Sequence, residues 1–159
     1  MKLVVDANVL FSFFKKESIV RELILDPELK YNLELFTPAY VLEELGRHKD
    51  EICYKFSITP ADFDIMLFSL EIFVRVVPES VFNDFLPAAE EILSAHKKEV
   101  HYAALSLYFK SKGYEVVLWT QEKKLKDLEE HGIRVLSISE LLENLQNQKG
   151  KRYIEGRQI

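Results

Sequence analysis

Four short stretches of the chain carry acids in places where they could do chemistry. They are Asp6 with Asn8 two residues on, the pair Glu43-Glu44, the lone Glu99, and Glu122 with Thr120 two residues before it. Asp6 follows Leu3, Val4 and Val5, an apolar run without alternation, which is the pattern of a strand buried on both faces. Thr120 and Glu122 follow a second such run, ending at Trp119. In a parallel sheet both ends lie on one edge, and in open α/β sheets that edge is the ligand crevice. If the two strands are neighbours, Asp6, Asn8, Thr120 and Glu122 crowd together. Glu43 and Glu44 fall in the first turns of the helix after the second strand, and Glu99 opens the helix that leads into the Trp119 strand. Helix starts after strands belong to the same edge, so at least four carboxylates are expected to converge, with Lys123 and Lys124 as the nearest cations. Carboxylates held close repel one another and need compensation. A hard divalent cation is the usual one: Mg²⁺ takes oxygen ligands at about 2.0–2.1 Å. Two such ions about 3.5–4 Å apart can activate water and stabilise a leaving oxygen in phosphodiester cleavage. Each acid would also suit a helix N-terminus as a cap or as a complement to the dipole. Spacing alone leaves a solvated acidic rim and a metal site equally open.

The elements that must position these acids follow from pattern and punctuation. Strands are expected over 3–5, 33–37, 74–77, 115–120 and 133–136. A first helical turn or two is expected over 9–14. A second helix opens near Ser18 and is broken by Asp26-Pro27. Val41, Leu42, Leu45, His48, Ile52 and Phe56 share one helical face, which predicts one helix from Ala39 to about Tyr54. Thr59-Pro60-Ala61-Asp62 is a helix start, with Thr59 as N-cap and Pro60 at the first position. That helix carries Phe63, Met66, Leu67 and Leu70 on one face and Ile65, Phe68 and Ile72 on another, too wide an apolar arc for an ordinary surface helix. Either it is enclosed or one face meets a second copy of the chain. A domain of this size rarely encloses a whole helix, so a homodimer is expected. Later helices are expected over 87–94, from Glu99 to a Gly113 cap, from Gln121 to about His131, and over 140–145 behind a Ser139 cap. Alternating strands and helices argue for an α/β fold with a mainly parallel sheet of about five strands. No linker or repeat divides the chain. One domain over 1–145 is expected, followed by a polar, basic and flexible tail over 146–159.

Composition narrows the function classes. At 159 residues the chain can bury roughly two-thirds of its unfolded surface in one core. A net charge of −5 argues against a nucleic-acid binder that works by bulk attraction, though not against an acidic site that reaches phosphate through a cation. The single Cys53 cannot form an internal disulfide, and no Cys/His spacing matches a zinc site. The histidines share no ligand spacing and are expected at the surface or at helix ends. Trp119 is expected in the core. A strand at the N-terminus predicts no signal peptide, and no apolar run approaches a bilayer span, so a cytoplasmic protein is expected. No glycine precedes Gly46, which excludes Gly-rich phosphate loops around the first strand. Asn8 stands where an aspartyl-phosphate phosphatase needs its second acid.

Taken in order, Val-Val-Asp6-Ala-Asn8-Val-Leu, Thr-Pro-Ala-Tyr-Val-Leu-Glu-Glu44-Leu, Glu99-Val-His-Tyr-Ala-Ala-Leu-Ser-Leu and Leu-Trp-Thr120-Gln-Glu122-Lys-Lys-Leu resemble the PIN-domain proteins of the prokaryotic, VapC-like kind over nearly the whole chain. The resemblance implies a PIN-like three-layer α/β/α fold with a parallel five-stranded sheet. It implies a Mg²⁺ or Mn²⁺ site of three or four acids and endoribonuclease activity on RNA, in some members as the toxin partnered by an antitoxin protein. Residue by residue, Asp6 matches the first acid and Asn8 its polar partner. Glu44 matches the second acid, with Glu43 as a less fitting substitute. Glu99 and Glu122 fall where the family usually has Asp, and Thr120 matches the hydroxyl that supports the first acid. Asp6 and Glu99 are then direct metal ligands, with Glu44 and Glu122 binding directly or through water. Each Glu adds a methylene and loses more rotamer freedom when fixed, so a looser, Mn²⁺-shifted or inactive site is also compatible. The alternative is a catalytically weak or inactive PIN-like module that binds RNA or a protein partner.

Overall fold

Strand β1, Lys2–Val5, lies at the middle of the sheet. The computed structural model describes residues 1–26, 33–94 and 96–157 of the chain. Around β1 stand β2 (Glu34–Pro38), β3 (Arg75–Val77), β4 (Val116–Trp119) and β5 (Arg134–Leu136). Among the described residues they form one five-stranded sheet in the order β3-β2-β1-β4-β5, every pair parallel. Leu3, Val4 and Val5 and all four residues of β4 are buried, as strands covered on both faces must be. The order reverses between β1 and β4, so the crevice expected at such a switch point falls between the two strands that carry Asp6 and Thr120.

Register decides the next step. Val5 pairs with Trp119, which sets Asp6 opposite Thr120. The ladder runs one bond past the strands: the Asp6 amide donates to the Trp119 carbonyl at 3.0 Å, and the Thr120 amide to the Leu136 carbonyl at 3.0 Å. On the other side the buried Thr37 hydroxyl donates to the Val5 carbonyl at 2.9 Å. The backbone at the first acid is therefore held from both neighbours.

Helices cover both faces, giving the three layers expected. They are α1 (Ala7–Phe11), α2 (Ile19–Leu25), α3 (Tyr40–Arg47), α4 (Lys49–Phe56), α5 (Pro60–Phe73), α6 (Leu86–Leu93), α7 (Val100–Ser111) and α8 (Ile138–Arg157). Ser18 and Thr59 cap α2 and α5 as expected, the Thr59 hydroxyl accepting from the Asp62 amide at 3.0 Å. Gly113, at φ 85°, follows α7 in the left-handed conformation that glycine adopts at helix ends without cost. The break read at Pro27 lies outside the described residues.

Four features depart from the sequence pattern. The helix expected from Ala39 to Tyr54 is two helices, broken at His48 (φ −100°, ψ 11°). The shared apolar face survives the break, which is why periodicity did not reveal it. The stretch Lys123–His131 is a 3₁₀ helix. Its two buried leucines, Leu125 and Leu128, are three apart, the repeat at which a 3₁₀ helix superimposes side chains. The last helix is capped by Ser137 and not by Ser139. The Ser137 hydroxyl accepts from the Glu140 amide at 3.2 Å and Glu140 accepts from the Ser137 amide at 3.3 Å, a reciprocal capping box. That helix also runs to Arg157, well past the expected end at 145.

Candidate functional site

Asp6 sits at the end of β1 as the N-cap of α1, yet its carboxylate makes no capping bond. The Asp6 backbone carbonyl instead accepts from the amides of Val9 and Leu10 at 3.1 and 3.2 Å. Glu99 is the N-cap of α7 and Glu122 that of the 3₁₀ helix, and neither side chain caps. All three acids therefore occupy helix starts without doing the work that would explain them structurally.

The Asp6 carboxylate is held by neutral donors. Thr120 donates its hydroxyl to Oδ2 at 2.6 Å and Asn8 its Nδ2 at 3.1 Å. Thr120 is fixed in turn: its Oγ1 accepts from the Glu122 amide at 3.0 Å and from Asn8 Nδ2 at 3.3 Å. Asn8 Oδ1 accepts from the Gln121 amide at 3.2 Å. Asp6 is 4% exposed. Burial pushes its carboxyl from the ordinary 3.8 up to about 7; the Thr120 bond opposes the rise, and the charges of Glu44 and Glu99 add to it. Glu44 is also raised, first by burial; Tyr102 donates its hydroxyl to Glu44 Oε1 at 2.7 Å and holds the rise back. Tyr102 itself is buried, and burial followed by the Glu44 charge pushes its phenol up, so it stays a donor.

Asp6, Asn8, Glu44, Glu99 and Glu122 line one cleft of about 150 Å³, with Ala7, Phe11 and Tyr102. The four acids expected to converge share this space, while Glu43 is exposed and does not line it. None of the ion pairs among the described residues includes one of the four. The hard oxygen donor set suits Mg²⁺ or Mn²⁺. Among the described residues, however, no three acidic, His or Cys side chains are grouped so as to hold an ion. The acids share a cleft without closing into a cage.

The cation beside the acids is Lys98, which also lines the cleft; Lys123 and Lys124, expected as the nearest, are exposed and do not. Lys98 adjoins Glu99 in the chain but reads there as part of a polar break. Tyr102 had only its three-residue spacing from Glu99 as a signal, and its bond to Glu44 spans 58 positions. Among the histidines, His101 lies in the first turn of α7, a helix end as expected, but it is half-buried and packed. Its ring stacks on Tyr40 at 4.4 Å and its Nε2 lies 3.1 Å from Glu79. Trp119 is buried as expected. A roomier cavity of about 630 Å³ lies between α6 and the C-terminal end of α7, lined by Phe85, Ile92, Leu107, Lys110 and His131 among others. It adjoins the end of α7 opposite Glu99 and gathers no cluster of acids.

A family model described as PIN domain matches residues 4–146. Among solved structures, a chain in the crystal structure of VapBC2 from Rickettsia felis, bound to a DNA fragment from their promoter, is similar with a TM-score of 0.62. The identity is 12%, over 86% of this chain and 98% of that one, so the likeness is one of fold. No curated protein matches. Among the described residues, no helix is long and apolar enough to cross a membrane.

Proposed function

This chain belongs to the PIN-domain family, and we propose that it is a divalent-metal-dependent endoribonuclease acting at the acid cleft. The observation that carries the reading is the row of three N-cap acids, Asp6, Glu99 and Glu122, that cap nothing and open into one cleft with Glu44. PIN-domain nucleases generally use divalent metals. Asp6 and Glu99, with Glu44 and Glu122 directly or through water, would hold a Mg²⁺ or Mn²⁺ ion, which would supply Lewis acidity toward a phosphate oxygen and a more acidic water. The chain's own groups do the positioning. Thr120 and Asn8 fix the Asp6 carboxylate, as partners behind a ligand do. Tyr102 fixes Glu44. Lys98 offers a positive charge to the substrate backbone from the side of Glu99. The glutamates at 99 and 122, with their extra methylene, favour Mn²⁺ over the stricter Mg²⁺.

The resemblance in fold to a chain of VapBC2 supports a toxin role with an antitoxin as protein partner. The apolar face of α5, where Ile65, Phe68 and Ile72 are 64%, 69% and 69% exposed, supports a homodimer. Of the two explanations for that wide apolar arc, enclosure within the chain does not hold for these three residues. A second reading, an inactive module that binds RNA or protein, is favoured by one observation: no three described side chains are grouped to hold an ion. The deciding experiment is cleavage of a mixed single-stranded RNA pool with Mn²⁺, with Mg²⁺ and with EDTA, comparing wild type with Asp6→Asn. Metal-dependent cleavage that the variant lacks is expected. Equal cleavage by both proteins removes the site assignment, and no cleavage with either metal leaves the binding module.

A further inference from the structure

A second groove of about 370 Å³ lies beside the helix break at His48 and adjoins the acid cleft through two shared residues, Asn8 and Phe11. Its other walls are His48, Glu51, Ile52, Lys55 and Phe56. Had residues 39–54 formed the one helix that periodicity predicts, His48 would have stayed within a continuous face. Instead it stands between α3 and α4, and its ring meets Phe11 edge to face, with centroids 5.3 Å apart and planes at 72°. Glu51 accepts from or pairs with His48 Nδ1 at 2.9 Å, which fixes the ring and turns that acid toward His48. Buried Ile52 forms the floor. Phe56 is half-buried, and the exposed Lys55 ammonium lies 5.6 Å from its ring centroid.

We infer that this groove is a nucleotide subsite. It takes the base next to the scissile phosphate against the Phe11 and Phe56 rings and the following backbone phosphate at Lys55. The inference rests on the ribonuclease reading of the acid cleft and deepens it. Three features favour single-stranded RNA as the occupant. Aromatic faces accept any base by stacking. A cation sits beside the aromatic wall, as a chain with alternating bases and phosphates requires. The groove also joins the acids directly, so one strand can lie in both. A duplex would hide its bases from these rings, so the subsite selects unpaired RNA.

The test uses the full chain and a defined single-stranded oligoribonucleotide with one cleavage position, assayed with Mn²⁺. Variants are Lys55→Ala, at an exposed position, and Phe56→Leu, which keeps apolar bulk and removes the aromatic face. Phe56→Leu is expected to raise KM by between about fivefold and a hundredfold, the size of one aromatic–base stack, with kcat changed by less than about twofold. An abasic nucleotide beside the cleaved phosphate should cost the wild type at least the same factor and the variant less, since only the Phe11 contact is left to lose. Lys55→Ala should lower the slope of log affinity against log salt by about 0.7, the loss of one phosphate contact on a single strand. Metal-dependent cleavage with KM, abasic penalty and salt slope all unchanged in both variants would overturn the subsite and leave the ribonuclease standing. If wild type cleaves nothing, the ribonuclease reading falls. Fluorescence anisotropy of the same labelled RNA then decides the groove: weaker binding by both variants supports it, and equal binding, or binding only of a protein partner, rejects it.

Discussion

Replacing Asp6 by Asn should make the metal-free protein more stable, and more so as pH rises. Asp6 is 4% exposed, and its carboxyl titrates near pH 7 in the fold against 3.8 as its ordinary value. Each pH unit between those values is worth about 1.4 kcal/mol, so ionised Asp6 burdens the folded state by about 4 kcal/mol above pH 7. The sign follows from proton binding. In the window between 3.8 and about 7 the folded chain holds a proton on Asp6 that the unfolded chain has released, so the wild type loses stability as pH rises. The asparagine variant has no such proton. Its amide oxygen can still accept from Thr120 and Asn8, while its NH₂ group meets the Ala7 amide that now favours the carboxylate. That mismatch costs on the order of 1 kcal/mol but does not vary with pH. The decisive quantity is therefore the slope: the stability of Asp6→Asn relative to wild type should rise by about 2 to 3 kcal/mol between pH 5 and about pH 8.5. Urea denaturation in EDTA at several pH values measures it, provided the two proteins share one m-value. A difference that stays flat across that range would refute the buried, like-charge account of Asp6, whatever its sign.

Three further outcomes follow from the same geometry. Metal binding requires Asp6 ionised, so apparent Mn²⁺ affinity should tighten by up to tenfold per pH unit below about 7 and level off above it; calorimetry in buffers of different ionisation enthalpy should register close to one proton released near pH 6. Thr120→Val keeps the shape but removes the 2.6 Å hydroxyl bond to Asp6. It should weaken Mn²⁺ binding by about 10- to 100-fold and push the acid limb of any pH–rate profile upward, and an unchanged limb would show that Thr120 does not govern Asp6. Ile65→Glu combined with Phe68→Glu places charge on the exposed face of α5. Light scattering should then report a monomer where wild type gives a dimer, with the thermal midpoint little changed, and a monomeric wild type would end the dimer proposal.

The strands and Asp6 were legible because a parallel strand covered on both faces has a plain signature, an unalternating apolar run, and the polar residue that ends it lands on the functional edge. Leu3 to Val5 and Val116 to Trp119 both carry that signature. Their adjacency was not legible from pattern: it is set by hydrogen-bond pairing across more than a hundred residues, and the family resemblance supplied it. The two departures in helix length have local causes. Ser137-Ile138-Ser139-Glu140 contains the Ser-x-x-Glu box in its own spacing, so the true cap was present in the sequence beside the one expected. The break at His48 left no mark, because the apolar positions on either side of it still meet the same core. Lys98 and Tyr102 were missed as members of the cleft for a third reason. Their neighbours in the chain say nothing of which way a side chain leaves a helix start, and only the packing of α7 against the sheet decides that.

The arrangement around Asp6 also constrains what the cleft is for. Thr120 and Asn8 are neutral donors, and the adjacent Ala7 backbone favours the carboxylate without a charge of its own; they orient a carboxylate and soften its burial but do not neutralise it. Two further acids face it and raise it. Asparagine in the same place would keep the Thr120 and Asn8 bonds without a burden of about 4 kcal/mol, a large part of the roughly 5–15 kcal/mol by which domains are stable. A local choice that opposes the fold this strongly is expected where function requires it. What is missing at Asp6 is a positive charge: Arg47 acts on Glu44, and Lys98, exposed at the cleft's edge, adds one more, two charges against four acids. A divalent ion is the ligand whose charge and oxygen preference fit the remainder. Its binding would convert the destabilising carboxylates into stabilising ones by mass action, worth about 2.7 kcal/mol at a hundred times its dissociation constant. The wild type should therefore gain stability on adding Mn²⁺ while Asp6→Asn gains little, so that the order of stability seen in EDTA narrows or reverses. Parallel gains in both proteins would mean that the ion binds elsewhere and that the acids of this cleft serve another purpose.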